Sequence, residues 1–285
     1  MAIIITDDKK LREFIPNVFS DVDDELSLYQ KILPFINLSE SWLIENITGN
    51  ELLLKIASDN TDLRYYNVAT IIVSRAFVQA IPSLDIVLTP NGFGIVSNNN
   101  IAPASKERID RLMKSLFKIS SDCLAELLPM LRADSDWHNT KQCKWLAGSI
   151  VQDLKMVHFC RGEKTSLGNP DVDCWTAFLE LRQRTYNIEQ QIANEWISPQ
   201  LMSRLRKKEA TASCDDAERL LIDAIKGCVC DAVRLHRINK KILADAVTYI
   251  RNHPDLFPEW HTSPTSELFS PPIFENAKKS AGYFF

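Results

Sequence analysis

The 285-residue chain sets 33 Lys and Arg against 37 Asp and Glu, a formal charge of −4, which excludes a global basic field of the kind that gathers nucleic acid or an anionic membrane. At 45% hydrophobic and 25% charged the composition is that of a folded chain with room for one large domain or two modest ones, and eight glycines disfavour all-β and glycine-loop nucleotide folds. The opening MAIIITDDKK has neither a basic leader nor an apolar run long enough for a signal peptide or a span, which predicts a cytoplasmic protein.

Taken in order, Ile3 to Ile5 is strand-like and Asp7 to Ile15 reads as a short helix stopped by Pro16. From Asp23 apolar residues recur at helical spacing as far as Gly49, with Pro34 inside as an expected kink or split. Asn50 to Ser58 predicts a short helix, and Thr61 opens a long, broadly apolar one that ends before Pro82. Ile86-Val87-Leu88 and Phe93, Ile95, Val96 flank Asn91-Gly92, which predicts a β-hairpin around residues 85–97. Ser105 to Arg132 is a further helix, with Pro129 and the run from Ala133 marking its end, and about Trp137 to Phe159 another. After a loop at 161–173, helices fit Cys174 to Trp196, Pro199 to about Ala210, Asp215 to Ile238 and Lys240 to Asn252. The fold class is therefore mainly α: two helical-bundle halves, 1–135 with the hairpin and 136–252, followed by an extended proline- and aromatic-rich tail at 253–285.

The halves echo each other at an offset of 149 residues, which sets Tyr29 against Phe178, Ile32 against Leu181, Leu43 against Ile192, Ile47 against Trp196, Gly49 against Ser198 and Leu52 against Leu201. Internal duplication is one reading. Any two amphipathic helices with similar breaks would align as well, and both readings stay open at this point.

Catalytic chemistry finds little footing. No phosphate loop is present, and Gly92-Phe93-Gly94 lacks the third glycine of a dinucleotide fingerprint. Cys143, His158, Cys160 and Cys174 lack the paired short spacings of a zinc site, and seven scattered cysteines, an odd count, read as reduced thiols with no disulfide. His138 beside Asp134, Ser135 and Asp136 fits a helix N-terminus better than an acid-histidine pair. Arg204, Arg206, Lys207 and Lys208 form a weak basic patch that fits a solvated helix face better than a nucleic-acid contact. No enzyme, cofactor, metal or membrane role is expected. The candidate interaction residues are Asn91, Gly92, Phe93 and Ile95 of the hairpin and Phe274, Tyr283, Phe284 and Phe285 of the tail, since a lone hairpin and an apolar terminus both need something to pack on.

PNGFGIVSN followed by IAPASKER, the segment WTAFLELRQRTYNIEQQI and the terminal FENAKKSAGYFF together resemble an uncharacterised family found in Bacteroides-type bacteria and their phages and prophages. The resemblance implies a virion component of the connector or adaptor type at the phage neck (a head–tail connector), acting through homo-oligomer contacts or other virion proteins, and supplies no catalytic residues. Cys174-Trp175-Thr176 departs from an arginine-rich pattern expected there, which leaves the roles of Arg182 and Arg184 open. The expected function is thus a non-enzymatic structural assembly protein, located in the cytoplasm or an assembled virion. The alternative is a soluble helical binding protein with a small-molecule or peptide pocket between its halves.

Overall fold

The computed structural model describes residues 2–15, 26–84, 86–89, 92–95, 105–156 and 173–270. Asp7 caps the first helix, α1 (Asp8–Glu13), by accepting from the Lys10 N–H. Ser27 and Gln30 form a capping box that opens α2 (Leu28–Leu43), and the helix runs on through Pro34. Its last turn widens into a π-helical turn, π1 (Ile44–Thr48), closed where Gly49 donates to the Ile44 carbonyl at 3.0 Å and turns the chain with φ 78°. Next come α3 (Asn50–Ser58), α4 (Leu63–Leu84), α5 (Lys106–Arg132), in whose last turn Pro129 sits, and two short helices, α6 (Ser135–His138) and α7 (Lys141–Leu146). Between α4 and α5, strands β1 (Ile86–Thr89) and β2 (Gly92–Ile95) pair antiparallel with Ile86 opposite Ile95 and Thr89 opposite Gly92.

The second half repeats this order of long helices without the strand pair. α8 (Cys174–Ile192) ends in π2 (Ala193–Ile197), closed by Ser198 donating to Ala193 at 2.8 Å with φ 76°. There follow α9 (Pro199–Ala210), α10 (Asp216–Leu235), α11 (Lys240–Asn252) and two short helices, α12 (Pro258–His261) and α13 (Pro264–Glu267). At the offset of 149 the two π turns coincide residue for residue, as do Gly49 and Ser198, the positive-φ residues that close them. Leu52, Leu53 and Ile56 of α3 coincide with Leu201, Met202 and Leu205 of α9, all six buried. A second register holds further on, where Trp137-His138 and Trp260-His261 stand 123 positions apart.

Three expectations are corrected. Residues 253–270 are not an extended tail: Pro258 and Pro264 stand at helix starts, where a missing N–H costs nothing, and Phe257 and Trp260 are core residues. No helix spans Trp137 to Phe159, because Asn139-Thr140 restarts the chain at α7 and residues 147–153 are non-helical. The joint between halves accordingly falls after α7 and not at 135, with α6 and α7 packed on the first half as α12 and α13 are on the second.

One core gathers α1 to α7 and also takes in Cys174, Trp175, Ala177 and Phe178 at the start of α8, while the second is built from Ile150, Val151 and the remainder of α8 onward. α8 therefore pins the halves together. Arg132, buried at the end of α5, adds to the joint by donating to the Gln152 carbonyl and pairing with Glu209 of α9 at 3.3 Å. α4 is long and apolar enough to cross a membrane by length and composition, but here it is packed between α2 and α5.

Backbone strain gives a first prediction. Gly49 sits at φ 78°, ψ 162°, a region essentially confined to glycine, and an added Cβ would also meet Gln142 Oε1 at 3.4 Å. Gly49→Ala should cost about 1–3 kcal/mol in urea unfolding. Ser198→Gly, at the same place in the second half, should cost nothing or stabilise, because a glycine N-cap is only a few tenths of a kcal/mol worse than serine.

Candidate interaction site

Each half is closed by a non-helical segment laid on its first long helix and held by one buried glutamate. In the first half, Glu40 of α2 accepts the N–H of Ile3 at 2.8 Å and of Ile4 at 2.8 Å, while Ile4 and Ile5 drop into the core. In the second, Glu189 of α8, the residue at the 149 offset, accepts from Ile150 N at 2.9 Å and Ser149 Oγ at 2.6 Å, and Ile150 and Val151 are buried. An ionised carboxylate is all acceptor, so it suits a strip of backbone N–H groups that has no strand beside it. Two residues further on, an aspartate turns each segment into helix: Asp7 accepts from Lys10 N and Asp153 from Lys155 N. The halves differ in two respects, the first being that a serine hydroxyl in the second half stands in for one of the two backbone N–H donors of the first. The second is that Arg206 pairs with Glu189 at 2.7 Å, whereas among the described residues no cation is paired with Glu40.

The other end of the first helix is sealed as regularly. Trp137 Nε1 donates to the Ile47 carbonyl at 2.8 Å, and Trp260 Nε1 to the Trp196 carbonyl at 2.7 Å, the same position of the π turn. Gln142 donates to the Glu45 carbonyl, and Thr265, 123 positions later, to that of Asn194, which is Glu45 at the other offset. Lys55 with Asp136 and Arg204 with Glu259 are likewise equivalent pairs, at 2.5 and 2.9 Å. The π turn leaves carbonyls without helical partners, and α6–α7 and α12–α13 supply the donors.

Two clefts open at the first π turn. One of about 730 Å³ lies between π1–α3 and α6–α7, rimmed by Glu45, Glu51, Lys55, Asp136 and Lys141. Beside it, a cleft of about 330 Å³ is lined by Glu45, Asn46, Lys141, Gln142 and Trp145 of the first half and Trp175 of the second. Trp145 and Trp175 pack with ring centres 5.6 Å apart, and the Arg182 guanidinium lies 3.6 Å from the centre of the Trp145 ring while donating to the Trp145 carbonyl. Burial brings that guanidinium down to about 10, with Glu189 opposing the shift.

The residues named from sequence fare unevenly. Gly92, Phe93 and Ile95 lie in β2, while Asn91, Phe274, Tyr283, Phe284 and Phe285 lie outside the described residues, as do His158 and Cys160. Asp134 caps α6 by accepting from the Asp136 N–H, and His138 contacts the Arg132 carbonyl. Of the basic patch, Arg206 is buried on Glu189, Arg204 pairs with Glu259, and Lys208 lies 3.4 Å from Glu218. Arg184 donates to the Val233 carbonyl. Sequence reading missed Glu40, Glu189, Trp137 and Trp260. The offset of 149 already placed one glutamate on the other, and the repeated Trp-His pair was the remaining signal.

Cys230 is disulfide-bonded, whereas Cys123, Cys143, Cys174, Cys214 and Cys228 are free. This corrects the expectation of seven reduced thiols, because scatter along the sequence does not tell which thiols the fold brings together. Among the described residues no group of three or more His, Cys, Asp or Glu side chains is placed to hold a metal. Burial pushes the Cys174 thiol up to about 12 and those of Cys123, Cys214 and Cys228 to about 11. Iodoacetamide at neutral pH should therefore label these four slowly in the native protein and rapidly once it is denatured. Fast native labelling of any of them would contradict the packing.

Arg64 bridges Asp62 and Asp134, tying the start of α4 to the start of α6. Its hydrogen bonds hold the Asp62 carboxyl below the usual aspartate range. Burial raises Asp134, but hydrogen bonds from the Asp136 N–H and Arg64 outweigh it and leave that carboxyl low as well. A depressed carboxylate stabilises the fold above its unfolded pKa, and that contribution is lost as pH falls through the lower folded value. Urea unfolding titrated into acid should show this loss in the parent, and Arg64→Ala should be less stable at neutral pH with a shallower acid limb.

Residues 25–146 match the model of a family of unknown function (DUF6712), a stretch that ends at the last residue of α7 and so covers the first structural half without its entering segment. Neither the curated proteins nor the solved structures contain a match.

Proposed function

We propose that the protein is a non-enzymatic assembly component that works through contacts with copies of itself or with partner proteins, a virion neck position being what its sequence resemblance implies. The observation that carries this reading is the plan of the chain: two units in tandem, the second sealed by a segment that follows directly from the last helix of the first. A unit completed by its neighbour is suited to continuing beyond one chain, as stacked repeats and heterologous interfaces do. Sedimentation velocity over a hundredfold concentration range tests it. Species larger than one chain are expected, and a single monomer boundary throughout would contradict the proposal.

A second reading, a ligand pocket between the halves, is favoured by the 330 Å³ cleft, which takes Trp145 from one half and Trp175 from the other. A small molecule or peptide side chain there would change tryptophan emission. A Trp145→Phe variant, which spares the core, separates that signal from the other five tryptophans.

A further inference from the structure

Trp137 to Asp153 and Trp260 to Asn276 run parallel without a gap, WHNTKQCKWLAGSIVQD against WHTSPTSELFSPPIFEN. The first run leaves α7 at Leu146 and four residues later delivers Ile150, whose N–H meets Glu189 of the next unit. In the second run, Ile273 stands four residues after Phe269, at the place of Ile150. The same stretch also matches the chain's own beginning: Ile4-Ile5-Thr6-Asp7-Asp8-Lys9-Lys10 against Ile273-Phe274-Glu275-Asn276-Ala277-Lys278-Lys279. The two apolar residues fall where Ile4 and Ile5 are buried, and Asn276 falls on the capping Asp7, a role asparagine fills as well as aspartate. Pro272 falls on Ile3 and has no N–H to give, so such a segment offers a glutamate the Ile273 N–H alone, as the inter-unit segment offers the single backbone N–H of Ile150. The correspondence ends at Lys279, since Ser280 stands where Leu11 is buried.

The chain thus carries three stretches of this sequence pattern, two of them seen to enter a unit, and two described glutamates. We propose that residues 271–279 of one copy dock on α2 of a second copy, laying Ile273 and Phe274 beside Glu40 in place of that copy's own Ile4 and Ile5. Copies would then join head to tail, with the step from one chain to the next repeating the step from the first unit to the second within a chain. The inference rests on the assembly reading and names its contact. The recipient's own segment is tethered and competes at an effective concentration on the order of millimolar, so association depends on concentration and on how firmly that segment is held.

Full-length chains carrying benzoylphenylalanine at position 274, mixed from two isotope labellings and irradiated, should cross-link between differently labelled copies to α2 residues near Glu40. Phe274→Asp should weaken self-association about tenfold or more in sedimentation, and Ile4→Ala, which loosens the recipient's own segment, should shift it to about tenfold lower concentration. Cross-links confined to one chain or falling elsewhere, or association unchanged by both substitutions, would overturn the docking and leave the assembly reading standing. A parent that stays monomeric throughout would overturn both.

Discussion

Glu189→Ala is expected to cost about 3–5 kcal/mol, because it strips a fully buried carboxylate from Arg206, itself nearly buried, and from the Ile150 N–H. Breaking one partner of a buried ion pair leaves the other charged and without its counterion, and that cost exceeds the pair's own net contribution. Glu40→Ala should cost less, about 1–3 kcal/mol in all, since only the buried Ile4 N–H is stranded, the half-buried Ile3 N–H can turn to water, and no cation is paired with Glu40 among the described residues. Chemical denaturation of both variants checks the order, and a Glu40 variant as damaged as the Glu189 one would contradict the assignment of roles.

Trp137→Ala and Trp260→Ala should each cost about 3–5 kcal/mol, since both rings are almost wholly buried and both indole N–H groups satisfy a π-turn carbonyl. Phenylalanine at the same positions keeps most of the volume and loses only the hydrogen bond, so Trp137→Phe and Trp260→Phe should cost about 1–3 kcal/mol. Similar losses in the two halves are expected because the seats are equivalent. A Trp260 variant indistinguishable from the parent would return residues 253–270 to the status of a passive tail.

Helices were legible where apolar residues recur over two turns or more between clear breaks: α3 and α11 fall on the residues the pattern predicts, and α5 is off by one at its start. The π turns were not, because an i to i+5 closure leaves no mark in apolar spacing and shows only as Gly49 or Ser198 at its end, one of which is not glycine. Short helices such as α6 and α12 defeat a periodicity argument, and the prolines that open α12 and α13 read as loop signals until their position at a helix start is known. The two glutamates were invisible for another reason: a carboxylate on an amphipathic helix reads as solvent-facing, and only the fold reveals the backbone N–H groups it meets. The basic patch misled in the same way, its arginines being bound to carboxylates distant in sequence.

Hydrogen–deuterium exchange at Ile4 and Ile150 tests most directly whether one buried carboxylate seals each unit. Both amides should be strongly protected in the parent. Glu40→Ala should release Ile4 while leaving Ile150 protected, and Glu189→Ala should release Ile150. Fast exchange at either amide in the parent, or protection unchanged in the matching variant, would contradict it.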